Sequence, residues 1–382
     1  MQVPLYRHNL HGHDIETLGE EFKKILSGMM LSTGSVSAEI AAMFADHMGT
    51  KHCLLTNNWT NAAQATLLTL GIGEGDEVVI PALTFVATAN AIEAVGARPV
   101  LVDVDPNTKL MDIDKIPDVL SSRTKAIMPV HLYGQMVDVY ALRRNIPEHI
   151  HIVEDAAHAI EAKLNGYGPG AHSAAAMFSF YNSKNMTTGE GGAMITNDSE
   201  LLARFTTIYR HGIDLDGYKR HIKDGFHAPE AVTKGIKGNM PDLLAFLLRP
   251  QIANLSASHA ARKKHAEIYM TELSDLGLEF PEQLDDATHA WHIFAIGVDA
   301  DIRDEVIGKL DAAGIKTTIQ FKPVHEMSYF RTKYRYAASD YPNSHAWGSK
   351  TISLPLFPDL KEHEQRYVID NLRSIIRALP KR

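Results

Sequence analysis

The chain has 382 residues, 45% of them apolar and 22% charged, which is the composition of a globular protein with a large core. Its net charge of −8 gives no basic surface for nucleic acid, and no apolar run reaches the roughly 20 residues that a membrane span needs. The single cysteine excludes an internal disulfide, and the first residues lack the apolar stretch of a secretory signal. We therefore expect a cytoplasmic enzyme or binding protein.

Helices and short apolar strands alternate over the first 250 residues. A helix is predicted after Asp14, whose side chain can cap it, because apolar residues recur on one helical face. This face consists of Ile15, Leu18, Phe22, Ile25 and Leu26. Further helices are predicted from Ser35 and over 61–71, and strands at 77–81, 98–105, 125–132, 149–157 and 173–181. Strands that are apolar on both faces indicate a mostly parallel sheet covered on both sides, with ligands at the carboxyl ends of the strands.

The pattern changes near residue 250. Arg249-Pro250 predicts a kink or a boundary in an otherwise helical stretch. Strands at 289–298, 315–321 and 353–357 and a last helix from about Lys361 then predict a smaller α/β unit. We expect a large domain over 1–250 and a small domain over 251–382.

Charged residues follow two of the predicted strands. Glu154 and Asp155 end one strand, and one of these carboxylates can be a helix cap or can face the crevice. Lys184 follows the next strand and precedes a glycine-rich turn, TTGEGG. A lysine there can mark the point where a strand meets water, or it can be a desolvated amine that forms a Schiff base. An aspartate and a lysine in this order fit a pyridoxal phosphate site.

The phosphate group of a pyridoxal phosphate cofactor needs a binding site of its own. The segment LLTNNWTNAAQ (54–64) turns from a strand into a helix, whose N-terminus attracts anions. Thr60 and Ser179 can add hydroxyl groups, and Phe85 can cover a flat ring, although each also suits a structural role. The twenty histidines include no HExxH motif, so we expect no metal.

Six blocks together resemble the DegT/DnrJ/EryC1/StrS family of nucleotide-sugar aminotransferases, nearly from end to end. They are GDEVVIPALTFVATANAI, PVHLYGQ, VEDAAHA, FSFYNSKNMTTGEGGAMITND, GIKGNMPDLLA and SLPLFP, in the family's order. The resemblance implies the aspartate-aminotransferase-type α/β fold with a large, mostly parallel sheet. It also implies pyridoxal 5'-phosphate as the cofactor, with pyridoxamine 5'-phosphate as its intermediate form, and a homodimer with shared active sites.

The resemblance assigns catalytic roles to three residues. Lys184 would form the Schiff base with the cofactor and carry protons. Asp155 would keep the pyridine nitrogen protonated, and His158 would lie near the ring and its phenolic oxygen. A histidine replaces this lysine in related dehydratases, so Lys184 favours amino transfer.

The remaining assignments concern cofactor binding and the substrate. Phe85 matches the aromatic residue that stacks on the ring. Thr60, the Asn61 backbone and Ser179 match the phosphate cradle, and Asn239 matches an asparagine that reaches the phosphate from the partner subunit. The substrate-side candidates are His325 and Trp59; many family members have a small residue in place of Trp59.

The expected reaction is a ping-pong transfer of an amino group from L-glutamate to a nucleotide-linked 3- or 4-ketosugar. Arg210 and Arg249 are available to the donor carboxylate, but neither is assigned. Three alternatives remain: a pyridoxal phosphate enzyme of another class such as a dehydratase, a ligand-sensing regulator, and a binding scaffold without cofactor.

Overall fold

The structure is a computed structural model that describes residues 1–8, 10, 15–214 and 229–379. Within these ranges the longer helices match the predicted pattern, while the predicted cap Asp14 lies outside the described residues. The helices are α1 (Ile15–Leu26), α2 (Ser35–Met48), α3 (Trp59–Thr69), α4 (Val86–Ala94), α5 (Ile116–Val119), α6 (Val139–Arg144), α7 (Ser199–Ile208), α8 (Asp242–Ala245), α9 (Leu248–Ala253), α10 (Leu255–Glu272), α11 (Arg303–Ala312), α12 (Ser328–Tyr334), α13 (Pro342–Lys350) and α14 (Glu362–Ala378).

A mostly parallel sheet forms the centre of the molecule, as predicted. The strands of the described chain are β1 (His52–Thr56), β2 (Glu77–Pro81), β3 (Arg98–Val102), β4 (Thr124–Ile127), β5 (His151–Asp155), β6 (Lys163–Leu164), β7 (Ala175–Ser179), β8 (Gly192–Thr196), β9 (Ala287–Thr288), β10 (Phe294–Gly297) and β11 (Thr351–Leu354). Seven of them form one sheet in the order β1-β8-β7-β5-β4-β2-β3. Six of the seven strands run in one direction, and β8, which lies between β1 and β7, runs in the opposite direction.

Both faces of the sheet are buried, which explains why its central strands have no polar alternation. Successive residues of β7 point to opposite sides, so Met177 packs with α3, α4 and α7, whereas Phe178 packs with α2 and the start of α10. Helices on both faces are what a parallel sheet requires. Because β5 and β7 are adjacent and parallel, the polar groups that follow them meet at the same edge of the sheet.

The C-terminal part contains a second, smaller layer. Strands β10 and β11 pair antiparallel, and α11 and α14 pack beside them. The N-terminus joins this layer, because Val3 pairs with Ile315 and Arg7 bonds Glu364. The division into domains at residue 250 stays a prediction.

One local prediction in this part is confirmed and one was wrong. A boundary between helices lies next to Arg249-Pro250, as predicted, because α8 ends at Ala245 and α9 begins at Leu248. Pro250 lies in the first turn of α9, where its missing N–H has no helical acceptor to lose. The segment 315–321 forms no regular strand in the described structure. It makes two isolated bridges instead, from Ile315 to Val3 and from Thr318 to Ser353.

Candidate active site at the carboxyl edge of the sheet

A cavity of about 390 Å³ opens where β5 and β7 end. It brings together seven of the ten predicted site residues. They are Trp59, Thr60, Phe85, Asp155, His158, Ser179 and Lys184. Residues that are up to 125 positions apart in the chain, from Trp59 to Lys184, thus line one space of the size that cofactor sites have.

Asp155, rather than Glu154, faces this cavity. Its two carboxylate oxygens accept hydrogen bonds from the Thr88 hydroxyl at 3.0 Å and the Ala157 N–H at 3.1 Å. Glu154 points to the other side of the strand, where its Oε2 lies 2.7 Å from His131 Nε2. Burial raises the pKa of Asp155, against these hydrogen bonds and the charge of Lys184. A further cation against this carboxylate would hold it ionised.

Lys184 follows β7 in a tight turn, in which its backbone N–H donates to the Tyr181 carbonyl at 2.9 Å. Burial lowers the pKa of the Lys184 amine to about 8, and the charge of Asp155 opposes this shift. No hydrogen bond to its Nζ is found in the described part of the chain. The amine is therefore partly deprotonated near neutral pH, which a nucleophile and proton carrier requires.

His158 offers a hydrogen-bond donor to the cavity. Its Nδ1 accepts the backbone N–H of Tyr133 at 3.3 Å, so in the neutral ring the proton lies on Nε2. Burial lowers the pKa of His158 well below its usual value, and the charge of Lys184 adds to this effect. The ring stacks on Phe321, with centroids 5.9 Å apart. His158 is thus a fixed, uncharged donor.

The opposite end of the cavity collects groups that suit an anion. Asn58 caps α3 by accepting the Asn61 N–H at 2.8 Å, and the helix begins at Trp59, two residues earlier than predicted. The buried indole N–H of Trp59 has no partner among the described residues. This indole nitrogen is sealed from the cavity, so the groups at this helix N-terminus that fit a phosphate are the hydroxyls of Thr60 and Ser179.

Two glycines of the TTGEGG turn are required by its geometry. Gly189 has a φ of 79°, in the left-handed region that a side chain strains. A Cβ on Gly192 would lie 2.7 Å from the Asn58 carbonyl carbon and 2.8 Å from the Phe178 oxygen. Gly192 therefore allows the start of β8 to lie in close contact with the backbone of Asn58, which caps α3, and of Phe178 in β7.

An aromatic pair forms the wall beside the acid. Phe85 precedes α4, its side chain is 53% exposed, and its ring lies 5.6 Å from that of Phe321. Such exposure of a large apolar ring within a cavity indicates a surface that a ligand covers. A pyridine ring between this wall and Asp155 would be consistent with the residues present.

Three predicted residues lie outside this cavity. The Asn61 N–H is engaged by Asn58, and Asn239 donates to Ser32 at 2.7 Å and Thr33 at 3.1 Å. Their predicted roles remain predictions.

His325, the third of these, is buried and rests 4.9 Å from the Tyr341 ring. Its ring nitrogens have no hydrogen-bond partner in the described chain, and they lie within 4.8 Å of ligand atoms of Glu326 and His345. His345 Nδ1 also lies 2.5 Å from Glu326 Oε1.

The two arginines considered for the donor carboxylate are also elsewhere. Arg249 pairs with Glu21 at 2.6 Å and Glu39 at 2.9 Å, and Arg210 lines a different cavity beside α2. No arginine of the described residues lines the cavity of Asp155 and Lys184. The described helices also include none that is long and apolar enough to cross a membrane.

Four residues at the site were not predicted from the sequence: Thr88, Tyr133, His292 and Phe321. Thr88 and Tyr133 lie inside blocks that resemble the family, but their contacts to Asp155 and His158 span 67 and 25 positions. His292 and Phe321 come from the C-terminal part and reach the cavity only through the fold. The one local signal was a histidine inside the apolar segment HAWHIFAIGV.

A lysine and an aspartate at neighbouring strand ends, with an anion site at a helix N-terminus, define a pyridoxal phosphate enzyme of the aspartate-aminotransferase-type fold. Comparison with known proteins agrees. The model of the DegT/DnrJ/EryC1/StrS aminotransferase family matches residues 13–373.

Individual relatives extend over the same length. The spore coat polysaccharide biosynthesis protein SpsC of Bacillus subtilis is 35% identical over 366 residues, 94% of either chain. DesV of S. venezuelae, solved in complex with a ketimine intermediate, is 31% identical with a TM-score of 0.88, over 99% of this chain and 100% of that one. NtdA of Bacillus subtilis, solved with bound cofactor PMP, is 27% identical with a TM-score of 0.86, over 98% and 85% of the chains.

The chain belongs to the DegT/DnrJ/EryC1/StrS aminotransferase family and is a pyridoxal-phosphate-dependent sugar aminotransferase. Its cofactor is pyridoxal 5'-phosphate, with pyridoxamine 5'-phosphate as the other form.

Proposed function

We propose that this chain transfers an amino group from L-glutamate to a nucleotide-linked 3- or 4-ketosugar in a ping-pong reaction. The observation that carries the proposal is that Lys184 and Asp155 line one cavity, with the pKa of the amine lowered to about 8. The name of SpsC supports polysaccharide biosynthesis as the pathway. We place the reaction in the cytoplasm, as the composition predicts.

Asp155 binds the ring nitrogen in this proposal. When bound, pyridoxal phosphate supplies an electron-poor ring that stabilises negative charge on the substrate carbon. The Asp155 carboxylate would accept the ring N–H and hold it protonated, while Thr88 and the Ala157 N–H keep the carboxylate in place. This contact would provide the cation that a buried carboxylate needs.

Lys184 moves the proton. Its Nζ can take a proton from the substrate carbon and return it, because the pKa of the amine is close to the working pH. General acid–base catalysis of this kind contributes a factor of about 10²–10⁴. His158 would donate its Nε2–H to the phenolic oxygen, and Phe85 would cover the ring.

The phosphate would be held by Thr60, Ser179 and the N-terminus of α3. We further propose a homodimer in which Asn239 serves the partner's phosphate site. The support is the resemblance of the block GIKGNMPDLLA to the family, together with the position of Asn239 outside this chain's own cavity.

The test is a visible absorption spectrum of the purified protein before and after addition of L-glutamate. We expect a yellow protein that bleaches with the donor and regains its colour with one member of a panel of nucleotide-linked ketosugars. A yellow protein that fails to bleach would contradict the donor, and a colourless protein that cannot be reconstituted would contradict the role of Lys184.

A further inference from the structure

Two histidines line the cavity, and they differ in the group that each presents. His158 presents an N–H, as described above. His292 precedes β10, is 9% exposed, and its ring centroid lies 4.5 Å from that of His158. Its Nδ1 lies 3.1 Å from Oδ1 of Asn185, the residue that follows Lys184. The tautomer of His292 therefore depends on how the Asn185 amide is oriented.

The orientation of that amide is determined by its other contacts. Asn185 Nδ2 lies 2.8 Å from Glu161 Oε2 and 3.1 Å from the Ala290 carbonyl, and both of these atoms can only accept. Oδ1 therefore faces His292, whose Nδ1 must carry the proton and donate it. In the neutral ring Nε2 is left with a lone pair.

Glu161 is in turn fixed by Arg262 of α10, which bonds its second carboxylate oxygen and is itself buried. A buried ion pair of this kind adds little net stability compared with apolar side chains. Here it directs a chain of hydrogen bonds from Arg262 through Glu161 and Asn185 to His292.

The Nε2 atom of His292 has no hydrogen-bond partner among the described residues, and it is not sealed from solvent as the buried unpaired atoms are. The His292 side chain lines the cavity that Lys184 also lines. Burial lowers the pKa of His292 well below its usual value, and the charges of Lys184, Arg262 and His289 act in the same direction. His158, the other titratable group against the ring, is neutral as well.

We infer that His292 is a positioning residue for Lys184: its unprotonated Nε2 accepts a hydrogen bond from Nζ when the amine turns toward it, a contact that is not formed in this structure. The Asn185–Glu161–Arg262 chain fixes the required tautomer. The inference rests on the proposed role of Lys184 as the proton carrier. It gives the amine a fixed direction in a cavity where Nζ has no hydrogen-bond partner among the described residues.

The first experiment measures the tautomer directly. Nitrogen-15 NMR of the full chain labelled at histidine, with His292→Gln to assign the signal, reports which ring nitrogen carries the proton at neutral pH. We expect protonation at Nδ1 for His292 and at Nε2 for His158. A proton on Nε2 of His292, or a charged ring, would overturn the inference.

The second experiment measures the pKa of Lys184 in the cofactor-free full chain, from the pH dependence of competitive acetylation read at this residue by mass spectrometry. An acceptor favours the charged amine over the neutral one, so His292→Leu should lower this pKa by about one unit. His292→Gln can place an amide oxygen near the former Nε2 and should restore the value.

The control is His265→Leu, which removes a histidine of α10 that bonds Gln365 and does not line the cavity. It should leave the pKa of Lys184 unchanged. An unchanged pKa in His292→Leu, or equal effects of Leu and Gln, would overturn the inference. Neither result would touch the proposed function, which the spectrum of the unmodified protein tests separately.

Discussion

The cavity and the surface of α1 differ in whether this chain alone provides partners for their side chains. At the cavity it does: Asp155, for example, accepts hydrogen bonds from Thr88 and Ala157 of the same chain. Along α1 and the turn after it, apolar side chains remain open, with Ile15 72% and Met29 99% exposed. We call this set the α1 face; it consists of Ile15, Phe22, Leu26, Met29, Met30 and Leu31.

Both regions have equally clear apolar patterns in the sequence, so the pattern alone does not say which chain completes the core. Only Ile25 of the five predicted α1 positions is fully buried. A contiguous apolar surface of this kind indicates a protein contact. One chain therefore builds the cavity floor, by which we mean Asp155 and Lys184 at the ends of β5 and β7, whereas the α1 face is suited to the proposed second subunit.

The largest effect is expected at the cavity floor. Lys184→Ala removes the proton carrier, so the rate of amino transfer should fall by about 10²–10⁴-fold and the visible absorption should be lost. Initial rates and the absorption spectrum measure both. Lys264→Ala, on the exposed side of α10, is the matched control and should behave as the unmodified protein. Wild-type turnover of Lys184→Ala would refute the assignment.

Asp155→Asn keeps the shape of the acid but removes the charge that holds the ring nitrogen protonated. We expect turnover to fall by about 10²–10³-fold, the range for loss of one preorganised electrostatic group. Steady-state kinetics at saturating cofactor measure this change. Glu154→Gln is the control, because Glu154 lies on the other face of β5 and bonds His131. A larger loss of turnover in Glu154→Gln than in Asp155→Asn would mean that Glu154, and not Asp155, binds the ring nitrogen.

The central fold could be predicted because its strands are apolar on both faces and end in charged residues. The same reasoning left Glu154 and Asp155 open, and the contacts of the strand decide between them: one bonds His131, the other Thr88. His292 could not be predicted, because a histidine in an apolar segment has the same local pattern in a core as at a site. Its role depends on Asn185, which is 107 positions away.

Helix ends show the same limit at a smaller scale. The start of α3 was predicted at Asn61, whereas Asn58 caps the helix and Trp59 begins it. Asparagine is a favoured cap, so this signal was present in the sequence. The position of Trp59 against the cavity depends on Gly192 of a distant strand and could not be read locally.

The α1 face is tested by Met29→Glu. In a monomer this change at a 99% exposed position should alter the free energy of unfolding by no more than about 0.5 kcal/mol. In the proposed dimer the charge would be buried without a partner, and the dissociation constant should rise by on the order of 100-fold. Sedimentation at several concentrations measures it. Lys264→Glu, which changes charge on another helix, should leave the oligomeric state unaltered.

The smallest effect is expected at the anion end, where several donors share one ligand. Ser179→Ala removes one hydroxyl, so the cofactor should bind about tenfold more weakly. This is the low end of the about 1.5–3 kcal/mol that a hydrogen bond to a charged group contributes, because the other donors remain. Turnover at saturating cofactor should change little, because Ser179 is not placed to move the proton. Ser183→Ala lines the same cavity on the lysine turn and is the matched control. If Ser183→Ala weakened cofactor binding and Ser179→Ala did not, the phosphate would bind near Ser183. The proposed phosphate site at Thr60, Ser179 and the N-terminus of α3 would then be wrong.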